Sequence, residues 1–486
     1  MMLELINNMN FTIYVYVLSA GLLGVGLLFT IRLKLLQFRH FLEMFKVIAQ
    51  TKGTDNCGIT PFQALSVSLA ARVGTGNIAG VAVALYLGGP GAIFWMWIVA
   101  LLGMATAYAE STLAQLFKVR NHDGEYRGGP SFYIANGLNW PNVGKLFSLL
   151  FIFTAMAFTA LQSNSIASAM NGAFNIPAIH SGLAIALIVG TMIFGGIRRI
   201  AQIAELIVPF MAIAYLALGA LVIFSNMHEV PAVFVQIFQH AFGFQEAAGG
   251  FAGGIVVTLM HGIQRGLFSN EAGMGSAPHI AAVATPTPHH PSSQGFVQSL
   301  GVFIDTILVC TTTALLILLS GVIDYESGLT GIELTQAALN AHIGSMGSYF
   351  IAVMVLLFSV TTIMGIYSFS ENGLTYLVGN NKRAFFLLKS TMITMMLWGS
   401  IQSVAVVFSL ADLFMGFVAI INLFAIAMLS GVVVKLTNNY FAQRSKGQEP
   451  RFDSALFPEL TDKISLEIWN PSTNDNKMSQ PIELPR

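Results

Sequence analysis

Apolar residues run along this chain in blocks of about 20, separated by short polar connections. Each block is long enough for a helix to cross the ~30 Å hydrocarbon core of a bilayer. Barrel strands would instead alternate polar and apolar residues over short segments. The blocks predict eleven spans, at about 11–31, 62–86, 91–117, 146–170, 181–197, 201–224, 250–284, 295–320, 349–373, 384–408 and 411–436. The expected fold class is therefore an all-α polytopic membrane protein. Two blocks carry residues that interrupt a membrane helix. "AARVGTGNIAG" at 70–80 places an arginine, three glycines and an asparagine in span two, and "RGLFSNEAG" at 265–273 disturbs span seven.

Charge gives these blocks an orientation, because Lys and Arg stay on the cytoplasmic side. The connections 32–61, 118–145, 198–200 and 374–383, with Lys389 and the tail after 434, hold 21 of the 23 basic residues, and the opposing connections hold none. The N-terminus is thus expected outside and the C-terminus in the cytoplasm, with the chain in a plasma membrane (the inner membrane of a prokaryote). The two remaining basic residues are Arg72 and Arg265, both inside spans. An arginine at mid-membrane costs roughly 2.5–3.5 kcal/mol on insertion scales, and such residues usually face a polar interior.

The surroundings of these arginines match. Residues 72–80 and 265–273 both read Arg, four residues, Asn, one residue, Ala, Gly. Span two runs inward to outward and span seven the reverse, so five-helix units related by inversion are expected, with span one left over. The expected organisation is a helix and linker at 1–61, repeats at 62–225 and 250–436, and a polar tail at 437–486. Inverted repeats with one interrupted helix each are a signature of secondary transporters. Each glycine weakens a helix by about 1 kcal/mol relative to alanine. Gly74, Gly76 and Gly80 favour a break in span two, as do Gly266, Gly273 and Gly275, with Pro278 beyond, in span seven. Broken backbone at membrane depth is tolerated where it lines an enclosed cavity. Its freed carbonyls suit a cation and the amides opening the second half-helix suit a carboxylate. Both together suit an amino acid travelling with Na+.

Composition narrows the rest. The chain is 55% hydrophobic and 9% charged, against about 25% charged for soluble proteins. Net charge is zero, which implies no nucleic-acid partner. Cys57 and Cys310 are far apart, and Cys310 lies in an apolar block, so neither a disulfide nor a metal is expected. Residues 11–31 lack the basic lead and cleavage site of a signal peptide. "GTGNIAG" fails as a dinucleotide loop because its third glycine comes one residue late and no strand precedes it, and no G-x-x-x-x-G-K-[ST] occurs. No cofactor and no enzymatic site are expected. His261, His289 and His290 form no convincing metal set. The tail stretch "STNDNKMSQ" reads as loosely ordered, whereas "SALFPELTDKISLEIWN" is apolar enough to dock.

The stretches "SLAARVGTGNIAGVA", "GGPGAIFWMWIVALLGMATAYAEST", "RGGPSFYI", "RGLFSNEAGMGSAPH" and "GVFIDTILVCTTTA" resemble the alanine/glycine:cation symporter family, over about residues 12–440. The resemblance implies a LeuT-like 5+5 inverted repeat of the APC superfamily with an extra N-terminal helix. It also implies Na+-coupled, in some members H+-coupled, uptake of small amino acids. "VGTGN" at 73–77 is similar to the broken first core helix of neurotransmitter:sodium symporters. That similarity implies a Na+ site of the Ala70 and Val73 carbonyls with Thr361 and Thr362, with Asn77 belonging to a second cation position. The substrate carboxylate would meet the Thr75 and Gly76 amides. Gln162 and Asn270 would complete the pocket, with Asn77, Phe268, Ser269 and Gly273 around it.

Each residue also has a plainer reading. The glycines can serve close helix packing, Asn270 an interhelical hydrogen bond, Gln162 with Ser163 and Asn164 packing, and Thr361 and Thr362 back-bonding to their own helix; Ser359 is a lesser candidate. Arg72 could latch to Glu110 and Arg265 to Asp412, or each could be pinned to free carbonyls. Glu271 could receive the substrate amine or couple to H+, and Asp305 is a further intramembrane acid. An H+-coupled symporter, a facilitator and a transceptor are the alternatives. Glycine, alanine, D-alanine, serine and glutamine stay unranked as substrates.

Overall fold

The computed structural model describes residues 2–50, 57–121, 124–243, 251–326 and 328–469. It is built almost entirely from helices; a two-residue strand pair, Val119–Arg120 with Tyr126–Arg127, sits in one connection. Seven helices are long and apolar enough to cross a membrane: Leu3–Arg32, Gly91–Leu116, Pro141–Phe174, Gly196–Ser225, Pro291–Ser320, Met346–Val378 and Val404–Met428. An eighth span results if Pro61–Arg72 and Gly76–Gly88, bent by 50° at their junction, are one crossing.

Length and apolarity therefore carry seven or eight spans rather than the eleven expected. The other three expected segments are helical but each falls short for its own reason. Ala178–Ile193 has only 16 residues. Phe251–Asn270 has 20 residues but carries His261, Gln264 and Arg265, and it is separated from Ala277–Val283 by the interruption. Lys382–Ser400 carries Lys382, Arg383 and Lys389. The last boundary also moves. The sequence suggested a join at 408–411, but the chain turns at Ile401–Ser403 and helix Val404–Met428 begins there. The polar Ser400, Gln402 and Ser403 end the helix, whereas the stretch at 408–411 is unbroken apolar helix. Connections read as loops contain the helices Val230–Ala241 and Gly331–Ile343.

Helix Pro141–Phe174 packs against Met346–Val378, Lys382–Ser400 and Val404–Met428, while Gly91–Leu116 packs against Pro291–Val302 and Phe251–Asn270. The outward faces remain apolar, with Leu206 78% exposed and Phe210, Ile213 and Leu187 alongside it, as lipid contact requires. The first broken helix starts at a capping box, in which Thr60 accepts from the Gln63 amide and the Gln63 side chain accepts from the Thr60 amide. Beside it, Ile59 forms an isolated parallel bridge to Ala284, tying the start of the first broken segment to the end of the second. The tail docks as far as it is described. Phe452 N–H donates to His289 O (2.9 Å) and the buried Trp469 indole donates to Leu116 O (3.1 Å). The polar stretch 472–480 lies outside the described residues.

Candidate functional site

The Pro61–Arg72 helix ends where its backbone bonding is diverted. Val73 N–H still reaches Leu69 O, but Gly74 N–H turns to the Asn77 side-chain oxygen at 2.9 Å instead of continuing to Ala70 O. Ala70 O is thus one of the carbonyls a helix C-terminus leaves without an intrahelical partner. Thr362, on helix Met346–Val378, supplies one: its hydroxyl lies 2.8 Å from Ala70 O and 2.8 Å from Phe358 O of its own helix. A Cβ on Gly74 would stand 2.6 Å from Thr362 Oγ1 and 3.1 Å from Gln162 Nε2, so glycine permits this approach. Thr75 N–H donates to Gln162 Oε1 (3.3 Å), and the buried Thr75 hydroxyl has no partner among the described residues.

The second break follows Asn270. Glu271 takes φ +54°, Gly273 +88° and Gly275 +86°, left-handed conformations that glycine adopts freely and glutamate does not. Asn270 Oδ1 accepts from Ala272 N (3.0 Å) and caps the interruption, while its side-chain amide nitrogen is buried without a partner among the described residues. Helix resumes at Ala277, with Pro278 in its first turn. Two glycines grouped with the breaks lie elsewhere. Gly80 belongs to the resumed helix, where an added Cβ would be in ordinary contact with Phe268 Cδ1 (3.8 Å) and Arg265 Cδ (3.9 Å), and Gly266 is inside Phe251–Asn270, closing on Val99.

The two interruptions touch. A Cβ on Gly76 would meet Phe268 Cδ1 at 2.9 Å and Phe268 O at 3.3 Å. Asn77 Nδ2 lies 3.2 Å from Ser269 Oγ and donates to Asp305 Oδ1 (2.6 Å). Asp305 also accepts from Ser269 (2.6 Å) and Thr306 (2.7 Å), so three neutral donors hold this buried carboxylate. Phe268 further packs against Phe158, ring centroids 5.0 Å apart.

Three candidates, Thr361, Arg72 and Glu110, meet other partners than the functional reading gave them, and Thr361 and Arg72 follow the plainer one. Thr361 back-bonds to Leu357 O and Phe358 O (both 2.9 Å) rather than reaching the break. Arg72 does not pair with Glu110. Its guanidinium donates to Gln298 O (3.2 Å), and among the described residues no ion pair joins the two. Glu110 is occupied at the second break, accepting from Gly273 N (3.4 Å) and Asn422 Nδ2 (2.8 Å). Gln162 stands on the break, whereas Ser163 and Asn164 bind Met396 O and Gly399 O of helix Lys382–Ser400 and Gln402 O in the turn after it. Ser359 Oγ is buried without a protein partner.

Arg265 and Asp412 form an ion pair, each side chain 4% exposed. Gln264 donates to the same carboxylate (2.7 Å), and the Phe408 ring lies 4.8 Å from the guanidinium. This cluster lines one wall of a cavity of about 650 Å³, shared with Tyr14, His261 and Phe408. His289 instead meets Trp469 edge to face and His290 accepts from Ser292 N, so the three histidines form no common cluster.

Asn422 was missed by the sequence reading. It also binds Gly273 O (3.0 Å) and accepts from Tyr133, clamping the second break. A lone amide in the apolar run "AIINLFAI" was the available signal. Tyr133 and Thr306 carried none.

The family model described as the sodium:alanine symporter family matches residues 1–454. The amino-acid carrier protein AlsT of Bacillus subtilis is 44% identical over 450 residues, 92% of this chain and 94% of that protein. The probable sodium/glutamine symporter GlnT of the same organism is 44% identical over 450 residues, 92% of each chain. The sodium/alanine symporter AgcS of Methanococcus maripaludis is 38% identical over 448 residues, 90% of this chain and 97% of that protein.

Proposed function

The chain belongs to the sodium:alanine symporter family, and from that membership we infer that it moves a small neutral amino acid across the membrane together with Na+. The observation that carries the reading is the junction of two interrupted helices, Gly76 on Phe268 and Asn77 beside Ser269. On one side the Pro61–Arg72 helix presents its C-terminal carbonyls, with the negative end of its dipole. Ala70 O and Val73 O, with the Thr362 hydroxyl, are oxygen donors that suit a hard monovalent cation. On the other side the helix opening at Gly76 presents Thr75 and Gly76 amides, suited to the substrate carboxylate. Gln162, Asn270 and Ser269 border the same space. Phe268 and Phe158 leave little room beyond it, which favours a short side chain.

Alternating access would proceed with the Arg265–Asp412 cluster as the outer latch. The site lies behind it, and the 650 Å³ cavity in front of it is the outer vestibule. On this reading the N-terminus would face outside and the C-terminus the cytoplasm of a plasma membrane, in keeping with the basic connections. The arrangement we propose is LeuT-type, with eleven spans: one N-terminal helix and two inverted five-helix units, 62–225 and 250–436. The matching breaks and the Ile59–Ala284 bridge support it. One Na+ moving down 100 mV releases roughly 2.3 kcal/mol, and a tenfold concentration ratio adds roughly 1.4 kcal/mol. At one-to-one stoichiometry this sustains an amino-acid gradient of several hundredfold. H+ coupling is the second reading, favoured by the buried acids Glu271 and Asp305.

The test is uptake of labelled alanine into proteoliposomes. An inward Na+ gradient should drive saturable accumulation and counterflow. Accumulation with an H+ gradient alone selects the second reading, and stimulation by neither ion removes both.

A further inference from the structure

A second cavity, of about 790 Å³, opens at the end of the first long helix, far from the two breaks in sequence and in contacts. Its lining carries Arg32, Lys34, Arg39, Lys46 and Arg444 against a single carboxylate, Glu43. Glu43 is already engaged. It accepts from Arg444 Nε (2.7 Å) and from Tyr440 (2.9 Å). Arg32 donates to Ser430 Oγ (2.6 Å), a neutral partner that leaves its charge uncompensated. Lys34 and Lys46 are exposed and form no ion pair among the described residues. The cavity thus concentrates positive charge, with no further acid among the described residues that line it. Burial and the neighbouring Arg39 push His40 below its usual value, so that ring, stacked on Phe441 at 3.9 Å, stays neutral at physiological pH.

The backbone holds this charge in place at a cost. Leu35 N–H reaches back to Thr30 O (2.7 Å), closing the helix with a turn whose left-handed position normally belongs to glycine. Here that position is Lys34, at φ +56°, followed by Leu35 at +58°. Two consecutive non-glycine residues in this region are unfavourable. They turn the chain sharply, and helix Phe41–Ala49 packs against Pro291–Val302. That segment is amphipathic. Leu36, Met44 and Val47 are buried, whereas Leu35, Phe38, Leu42 and Phe45 are 46–70% exposed. An apolar face of this kind beside a basic one belongs in the plane of a membrane interface, which places the cavity at headgroup depth.

We propose that this cavity binds the phosphate group of an anionic phospholipid, bridging the interfacial segment 36–49 to the terminal helix Ser430–Arg444. Its cations share one cavity, and Phe38, Leu42 and Phe45, exposed on the same segment, offer apolar surface to acyl chains. A free phosphate would satisfy the charges but leave those apolar side chains uncovered. The site is independent of the transport reading, since it shares no residue with the two breaks.

The test titrates the purified full chain, in a neutral detergent, with short-chain phosphatidylglycerol, short-chain phosphatidylcholine or glycerol phosphate, read by native mass spectrometry. Phosphatidylglycerol should bind at least tenfold more tightly than the other two, and less tightly as salt rises. Lys34→Gln and Lys46→Gln should each weaken it about fivefold, and Lys34→Arg with Lys46→Arg should restore it, separating lost charge from lost folding. Equal binding of phosphatidylglycerol and phosphatidylcholine overturns the proposal, as does a Lys34→Gln/Lys46→Gln variant that binds like the parent. Glycerol phosphate binding as tightly as the lipid overturns the lipid as occupant.

Discussion

Replacing Thr362 by valine isolates one contact between elements 292 residues apart in sequence. The side chain keeps its branched shape and loses its hydroxyl. Two consequences follow from the geometry. Ala70 O, already without Gly74 N–H because that amide turns to Asn77, loses its remaining described donor and one oxygen of the proposed cation shell. Leaving such a buried group unmatched costs about 1–3 kcal/mol. The new methyl would also press on Gly74, whose added Cβ would be only 2.6 Å from the present oxygen, so relief by local collapse is closed off. At 1.4 kcal/mol per factor of ten, the Na+ concentration for half-maximal alanine uptake should rise roughly 5- to 150-fold. Thr362→Ser keeps the hydroxyl and should stay close to the parent. The assay is initial uptake into proteoliposomes across a Na+ series, with reconstituted protein quantified. The reasoning is refuted if Thr362→Val shifts the Na+ dependence by less than about twofold while transport remains measurable, or if serine is as damaging as valine.

Three further outcomes can be measured independently. Gly76→Ala drives a Cβ to 2.9 Å from Phe268 and should cost about 1–3 kcal/mol, seen as a lower melting temperature together with impaired uptake; Gly24→Ala, with nothing within 4 Å, should be neutral or stabilising by up to about 1 kcal/mol. Asp412→Asn strands the buried Arg265 charge and should destabilise by about 3–5 kcal/mol. A double-mutant cycle with Arg265→Gln should then return a coupling well above the few tenths of a kcal/mol expected of independent sites. Trp469→Ala removes a buried indole bonded to Leu116 O and should cost about 3–5 kcal/mol. Limited proteolysis should then release the 450–469 segment sooner than in the parent, and an unchanged digestion rate would contradict the docked tail.

Much of this protein is set by features that read locally. Apolar block length makes it a membrane protein, because the hydrocarbon core leaves few other uses for such blocks. Glycine at 74 and 273, flanked by Asn77 and Asn270, located both interruptions to within a few residues, since helix propensity and capping act over a single turn. The Arg265–Asp412 neighbourhood was approachable for a similar reason: an intramembrane arginine needs a partner, and few acids are available. Tertiary packing decided what local rules leave open. It chose Thr362 over Thr361 for Ala70 O, because helix rotation determines which of two adjacent hydroxyls faces a neighbour. It gave Glu110 to Gly273 and Asn422 and left Arg72 on Gln298 O, because the pairing depends on how Gly91–Leu116 and Val404–Met428 converge. It set Gly76 on Phe268 and gathered five cations around one cavity from the two ends of the chain. Residues hundreds of positions apart meet only through the sum of all the packing between them, and no stretch of sequence shorter than the fold contains that sum.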